Sequence, residues 1–387
     1  MKTKIPLLHD HHTHPLLYAT FRQSVDLLDA MDLEVASNKI AENYDGESLV
    51  LAFGWQDQRF RIDEGDLDKL PPCVIFNISL HAIRLNRAAS QFLTAAGFDV
   101  EQLKDQDWYE RNLRQVLNWF ALLKGNADSL AQYYEFLKTL GVYSAEELLL
   151  SDGREIEYFE EAGLLDRTKF WVDPREFERL PAWQRDLISG FKLFADGAIG
   201  SRTTANSEAY LGEPDNFGML IFRNDELYEL ISGCSAHRKN IAIHAIGDRA
   251  IEQVLGVFEN CSFRDSFPTI RMEHAQLISV EQAKRAKSLG ITLSMQPNFN
   301  GDSQSYRDRL PKSLVEANNP FRTLIDHVGF VPGDDLIFGS DGMPHGAQYA
   351  VDQCLSPPLE SQRLSLDELV SGYCLRTEPE YEVEVAE

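Results

Sequence analysis

Short apolar runs that alternate with helical patterns are the feature that most constrains the fold of this chain. The runs are rich in Val, Ile and Phe, and each has the length of one buried strand. They lie at residues 5–8, 49–53, 74–80, 169–172, 191–194, 241–243, 269–272, 291–295 and 336–338. Alternating strands and helices predict a parallel sheet, because each right-handed crossover packs its helix back onto the sheet.

The fold predicted from this alternation belongs to the α/β class and is a (β/α)8 TIM barrel. Nine runs are one more than a barrel uses, so we expect one of the early runs to lie outside it. A doubly wound open sheet is the alternative, although no Gly-x-Gly-x-x-Gly follows the first run. We predict a single barrel domain over residues 1–377 and an acidic, mobile tail at 378–387.

A segment at about 100–165 differs from the rest because its pattern is helical. Helices are predicted at 107–123, 128–140 and 144–150, with Gly125 and Gly141 as their stops and Asp128 and Ser144 as N-caps. We interpret this segment as a helical insertion in the barrel, or as barrel helices with an added hairpin.

The charge balance excludes several classes of partner. There are 61 acidic residues against 37 basic ones, a net charge of -24. Such a chain is a poor ligand for nucleic acid or for an anionic membrane. The five cysteines are scattered without a Cys-x-x-Cys spacing, so they predict neither a disulfide framework nor a thiolate zinc site. We therefore expect a cytoplasmic protein with a small-molecule substrate, and the sequence leaves a homo-oligomer open.

The first apolar run leads into a dense group of histidines. His12 and His14 are alternate residues on an extended segment, so both imidazoles can face one metal ion. His9 and His11 are interpreted as a surface cluster, the ordinary explanation for neighbouring histidines.

Later strands also end in side chains that bind metals. These are His244 after residues 241–243, His274 after 269–272 and Asp341 after 336–338. The carboxyl ends of barrel strands form the face where active sites lie. Taken singly, each histidine could be a core residue and Asp341 a turn residue. The two histidines in succession, one βα unit apart, favour metal ligands.

Lys192 lies inside an apolar run, where an unpaired ammonium group is costly. Burial lowers the pKa of a lysine and makes its neutral amine available. A neutral amine can take up carbon dioxide as a carbamate, whose two oxygens can bridge two metals. The alternative is an ion pair with an acid such as Asp196.

The order of these residues resembles the amidohydrolase superfamily, and the surrounding motifs resemble its type 3 (YtcJ-like) branch. The motifs that carry the resemblance are Asp10–Pro15, Gly54–Trp55, His81 with Asn86, Phe191–Thr203, His244–Ala250, Arg271–Gln276, Gln296–Pro297 and Gly339–Asp341. They follow the family order over nearly the whole chain. Members usually carry a β-sandwich on both sides of the barrel in sequence. Here the metal motif starts near Met1, so we expect most or all of that sandwich to be lacking.

The resemblance implies a centre of two metal ions bridged by carbamylated Lys192. The ligands that it implies are His12, His14 and Asp341 for one metal, and His244 and His274 for the other. Zinc suits these nitrogen and oxygen donors, and iron, manganese and nickel are alternatives. A metal-bridged hydroxide would attack a carbonyl carbon, and Asp341 would act as the catalytic proton carrier.

The activity implied is hydrolysis of an amide or cyclic amide, a carbon–nitrogen bond other than a peptide bond (EC 3.5 class). Esterase or lactonase chemistry at the same centre is one alternative, and a non-enzymatic metal-binding or regulatory protein is another. Substrate contacts are predicted for His81, Trp55, Arg202 and His345.

Overall fold

The computed structural model describes residues 1–97 and 99–385. Its strands are β1 (Lys2–Ile5), β2 (Leu8–Thr13), β3 (Val25–Asp26), β4 (Val50–Trp55), β5 (Cys73–Asn77), β6 (Ile83–Leu85), β7 (Val142–Leu150), β8 (Thr168–Val172), β9 (Ile188–Phe194), β10 (Asn240–Ala245), β11 (Ile270–His274), β12 (Ile291–Met295), β13 (Leu336–Phe338) and β14 (Tyr381–Glu384).

The α-helices lie between these strands. They are α1 (Pro15–Phe21), α2 (Leu33–Glu42), α3 (Glu64–Leu67), α4 (Arg87–Ala95), α5 (Val100–Lys104), α6 (Gln106–Lys124), α7 (Ala127–Thr139), α8 (Gly153–Glu161), α9 (Pro174–Phe177), α10 (Ala182–Leu187), α11 (Asn224–Ser235), α12 (Asp248–Glu259), α13 (Val280–Ser288), α14 (Asp302–Ser305), α15 (Lys312–Ala317), α16 (Ala347–Leu355) and α17 (Leu366–Tyr373). Within the part of the chain that the structure describes, none of them is long and apolar enough to cross a membrane.

The larger of two compact units contains the parallel sheet. This first unit comprises Met1–Pro15 and Leu130–Glu387, and the second comprises Leu16–Ser129. In the first unit eight strands follow one another in the order β13-β12-β11-β10-β9-β8-β7-β2. All neighbours in this sheet are parallel, and helices follow most of its strands. The predicted (β/α)8 TIM barrel is confirmed.

Residues just after β13 connect the last barrel strand to the first. The backbone N–H of Asp341 donates to the carbonyl of His12 at 2.7 Å. The buried carboxylate of Asp10 accepts from the backbone N–H of Ser340 at 2.8 Å and from its hydroxyl. Gly339 allows this approach, because a Cβ there would lie 2.3 Å from the backbone nitrogen of His12.

Strand β7 corrects the prediction for residues 144–150, which is wrong because they form a barrel strand rather than a helix. Two adjacent glutamates among leucines suggested a helix. In the structure Glu146 is buried and pairs with Arg271, with 2.6 Å between Oε2 and the guanidinium. The helices predicted at 107–123 and 128–140 are confirmed as α6 and α7, and Gly125 caps α6.

The second unit has a four-stranded sheet of its own, in the order β3-β4-β5-β6. Strands β3, β4 and β5 are parallel, and β6 is antiparallel to β5. The apolar runs at 49–53 and 74–80 belong to this sheet, so two early runs lie outside the barrel where one was expected. Local periodicity could not separate them from barrel strands, because both kinds are buried.

The two ends of the described chain form a small antiparallel sheet. Strand β1 pairs with β14, and Thr3 faces Val383. Val383 is fully buried, and the ring of Tyr381 lies against Gly141. Residues 381–384 are therefore an ordered strand, and the predicted mobile tail is wrong for them. Residues 386 and 387 of that tail lie outside the described part.

We predict that Gly339→Ala lowers the free energy of unfolding by about 1–3 kcal/mol, because its methyl group must push against the backbone of His12. Urea unfolding followed by circular dichroism measures the change. Gly256→Ala is the matched control, since open space surrounds this residue in the middle of α12. Alanine there should stabilise the helix by about 0.5–1 kcal/mol. Equal stability of the Gly339 variant and the wild type would contradict the closure described above.

Candidate metal centre

Four imidazole rings form a row at the carboxyl ends of the barrel strands. They come from β2 or the residue just after it, from β10 and from β11. Neighbouring ring centroids are 5.6 Å apart for His14 and His12, 4.6 Å for His12 and His274, and 4.5 Å for His274 and His244. All four rings are buried. The structure thus brings together four histidines that are up to 262 positions apart in the sequence.

The carboxylate of Asp341 completes one end of this row. Its Oδ1 lies 3.1 Å from Nε2 of His14 and 3.9 Å from Nε2 of His12. The ligand atoms of these three residues all lie within 4.8 Å of one another. Although burial alone raises a carboxyl pKa, the hydrogen bond from His14 and the nearby imidazoles lower that of Asp341 to about 2. The carboxylate is therefore ionised at neutral pH, as a metal ligand must be.

The far nitrogens of His12 and His274 have fixed partners. Nδ1 of His12 is 2.6 Å from Oε2 of Glu273, and Nδ1 of His274 is 2.6 Å from Oε1 of Gln296. Because both partners are acceptors, each Nδ1 must donate its proton. The lone pair of each ring then lies on Nε2. Hydrogen bonds of this kind orient metal-binding histidines in proteins generally.

His244 is held in the opposite tautomer. Its Nε2 donates to the carbonyl of Gly197 at 3.0 Å and lies 3.3 Å from Oδ1 of Asp196. The lone pair of His244 is therefore on Nδ1. Asp196, the acid considered as a partner for Lys192, accepts from three backbone N–H groups, those of Ala205, Ile246 and Gly247. It secures the loops that follow β9 and β10.

Lys192 lies on β9 and is fully buried. Its Nζ is 4.7 Å from the centre of the Phe194 ring. After burial itself, the Lys192 ammonium is the largest influence that lowers the pKa of His12, to about 4, and it also lowers that of Asp341. In the sheet Lys192 pairs in register with Ala242 of β10, two residues before His244. The structure thus brings the six predicted ligands together at one end of the barrel.

Three residues at this end of the barrel have a left-handed backbone conformation, which is unfavourable for residues other than glycine. Their φ angles are 70° for His274, 47° for Ala275 and 53° for Asp341. Each such residue costs about 1–3 kcal/mol unless its surroundings impose the conformation. Hydrogen bonds from Ala275 N to the carbonyl of Ala245 and from Asp341 N to that of His12 impose it here. Such strain is concentrated at functional sites.

Below the imidazole row, buried charges link the barrel strands. The guanidinium of Arg271 donates to Glu273 at 2.7 Å, to Glu146 at 2.6 Å and to the carbonyl of His11 at 2.7 Å. Arg271 thus holds the carboxylate that orients His12. The sequence contained a signal for this network, because Arg271 and Glu273 alternate inside an apolar strand and so must face the barrel interior together.

His9 and His11 are buried, so their interpretation as a surface cluster is wrong. Both rings contact the same carboxylate oxygen, Oε1 of Glu146, at 3.1 and 3.0 Å. Their burial follows from the missed strand, because β7 lies beside β2 and supplies the acid.

The residues predicted to contact substrate lie in both units. In the first unit Arg202 forms an ion pair with Glu213. His345 is buried between Thr13 and Tyr133, at 2.7 Å from Oγ1 and 2.9 Å from the phenol oxygen, so it supports the segment that joins His12 to His14.

In the second unit His81 lies 2.7 Å from a carboxylate oxygen of Glu110. Trp55 is a core residue there, and its indole N–H donates to the carbonyl of Phe60. Substrate contact stays a prediction for all four residues.

Comparison with known proteins identifies the family. The model of the amidohydrolase family matches residues 2–350, which is most of the chain. The fold is similar to that of a solved metal-dependent hydrolase. The chain belongs to the amidohydrolase family.

Curated relatives match over part of their length. The putative amidohydrolase YtcJ of Bacillus subtilis is 35% identical over 157 residues, which are 38% of this chain and 30% of the relative. The N-substituted formamide deformylase of Arthrobacter pascens is 28% identical over 149 residues, 35% of this chain and 27% of the relative. The matches thus span less than a third of these relatives.

Solved structures resemble the chain over most of its length. An uncharacterised metal-dependent hydrolase from Pyrococcus horikoshii OT3 has a TM-score of 0.71 and 25% identity, covering 92% of this chain and 74% of that one. Another from Pyrococcus furiosus has a TM-score of 0.70 and 24% identity, with 95% and 80% covered. The similarity to the Pyrococcus furiosus structure supports the fold and nothing further.

We predict that Glu273→Gln weakens metal binding about 10–100-fold, because the amide is a poorer acceptor for the Nδ1 proton of His12. Competition with a chromogenic chelator measures the dissociation constant. Glu281→Gln, an exposed change on α13, is the control and should leave it unchanged. A Glu273 variant with wild-type affinity and wild-type thermal stability would show that this carboxylate does not orient the ligand.

Proposed function

We propose that this protein is an amidohydrolase that cleaves an amide or cyclic amide, a carbon–nitrogen bond other than a peptide bond, at a centre of two zinc ions. The observation that carries the proposal is the row of four imidazoles with Asp341 at one end and Lys192 buried nearby. The similarity to an N-substituted formamide deformylase supports an amide substrate.

The residues present fit the metals that the family implies. His12, His274 and His244 each have one ring nitrogen that donates a hydrogen bond to the protein. The lone pair on the other ring nitrogen of each is available for a metal. In this proposal His12, His14 and Asp341 would hold one metal, His244 and His274 would hold the other, and Lys192, as a carbamate, would supply a ligand to both. The donors are nitrogen and oxygen without a thiolate, which suits zinc, while iron, manganese and nickel accept the same set. When bound, the metals lower the pKa of water and polarise a carbonyl oxygen.

The protein side chains then transfer the proton, orient the ligands and contact the substrate. A carboxylate oxygen of Asp341 accepts the proton of the attacking water and passes it to the leaving nitrogen. Glu273 and Gln296 keep the lone pairs of His12 and His274 directed into the site. Arg202, on the loop after β9, is the residue of the first unit that we propose to contact the substrate. A cytoplasmic location belongs to the same proposal and is supported by five cysteines without a disulfide.

Removal of the metal tests the proposal first. Protein treated with a chelator should lose hydrolysis of N-formyl, N-acyl and cyclic amides, and zinc should restore it. Matched esters and lactones in the same panel separate the alternative chemistry, since a preference for them would replace the amide assignment. Bound metal without turnover of any substrate would favour a binding or regulatory protein.

Asp341→Asn should lower kcat by about 10²–10⁴-fold, the usual contribution of a general acid–base group. Steady-state kinetics, with the metal content measured on the same sample, separates lost proton transfer from lost metal. Asp352→Asn, an exposed change on α16, is the control and should keep wild-type kcat. A fully active Asp341 variant would exclude its role as proton carrier.

Lys192→Met should abolish metal-dependent turnover, because methionine fills the buried space but cannot form a carbamate. Carbon-13 NMR of protein incubated with labelled bicarbonate should show a carbamate signal in the wild type that the variant lacks. Lys312→Met, at an exposed position, controls for loss of a lysine. Turnover that is indifferent to Lys192→Met would refute the bridging role.

A further inference from the structure

A second group of metal-binding side chains lies inside the barrel, earlier along β2 than the ligands His12 and His14. It consists of His9 and His11 from β2 and Glu146 from β7. All three side chains are more than nine-tenths buried. Neither the family ligand set nor the proposed function uses them.

The donor atoms of this group, the His9–His11–Glu146 cluster, have spacings close to those of metal ligands. Oε1 of Glu146 is 3.1 Å from Nε2 of His9 and 3.0 Å from Nδ1 of His11. Ligands of a tetrahedral zinc ion, at bond lengths of about 2.0–2.1 Å, are roughly 3.3 Å apart. A shift of a few tenths of an ångström would therefore open the cluster enough for an ion.

The surroundings orient these donors as outer partners orient the ligands of metal sites. Nδ1 of His9 is 2.7 Å from the hydroxyl of Ser144, a partner that can accept its proton and leave the Nε2 lone pair facing Glu146. The other oxygen of Glu146, Oε2, accepts from Arg271 and from the indole of Trp171, each at 2.6 Å. The carboxylate is thus fixed on one side while Oε1 faces the two imidazoles.

Charge at this level of the barrel also favours a cation. Glu146 and Glu273 both pair with the guanidinium of Arg271, so two buried carboxylates share this one guanidinium. The ammonium of Lys169 lies 3.6 Å from Oε1 of Glu146, but its side chain is 48% exposed.

We propose that His9, His11 and Glu146 bind a structural divalent cation of the zinc type, separate from the catalytic centre. The ion would join β2 to β7, a pair whose register shifts between Leu8 and His9 and again between Asp10 and Thr13. An irregular ladder has fewer backbone hydrogen bonds, so a shared ion would hold the strand that carries His12. Its three protein ligands leave one tetrahedral position for water.

Anomalous diffraction from crystals of the full wild-type chain, grown with zinc and measured on both sides of the zinc edge, tests this site without any variant. We expect a peak between Nε2 of His9, Nδ1 of His11 and Oε1 of Glu146. Absence of that peak would overturn the proposal and leave a hydrogen-bonded network of neutral imidazoles. Peaks at the catalytic centre are read separately in the same map, so either assignment can fail alone.

Metal content per chain gives a second, independent measurement. His9→Gln and His11→Gln, both able to keep a hydrogen bond to Glu146, should each bind one equivalent of zinc less than the wild type. His327→Gln, at an exposed position, is the matched control and should bind the wild-type amount. Folded His9 and His11 variants with unchanged zinc content would contradict the site.

Discussion

The hydrogen bond from the Asp341 amide to the His12 carbonyl is the contact on which the site depends. It joins the end of the last barrel strand to the first. It therefore places Asp341, the last candidate ligand in the sequence, beside His12, the first. Asp10 reinforces the same junction through Ser340, and Gly339 makes room for the backbone of His12. The contacts that join the two strands therefore also position the candidate metal centre, because Asp341 and His12 belong to both.

A network of buried charged residues inside the barrel positions the row of imidazoles. Arg271 connects Glu146 with Glu273, and Glu273 orients His12. Removing one partner from such a network leaves an uncompensated buried charge, which is strongly destabilising. The network therefore specifies one arrangement of β2, β7 and β11 rather than a set of similar ones. The same arrangement places His9 and His11 against Glu146, away from the catalytic face.

The candidate ligand residues and their order could be identified from the sequence. His12, His14, His244, His274 and Asp341 each follow or end a short apolar run, and strand ends on one barrel face must converge. Lys192 was identifiable because a cation inside an apolar strand requires an explanation. Local periodicity and chemistry made these six residues candidates, and the family resemblance implied that they act as one ligand set. The structure brings the six side chains to the same end of the barrel, and their role as metal ligands stays a prediction.

Other features depended on partners that are remote in sequence. Residues 144–150 have the composition of a helix, yet they lie in β7, where Glu146 pairs with Arg271, 125 positions later. The apolar runs of β4 and β5 are locally like barrel strands, yet they pair in another sheet. Likewise, residues 381–384 are ordered only because β1 pairs with them. The sequence by itself determined the candidate ligands at the ends of the apolar runs and that parallel strands would carry them. Only the tertiary structure decided which strands close the barrel and which charges are buried, since pairing energy comes from distant residues.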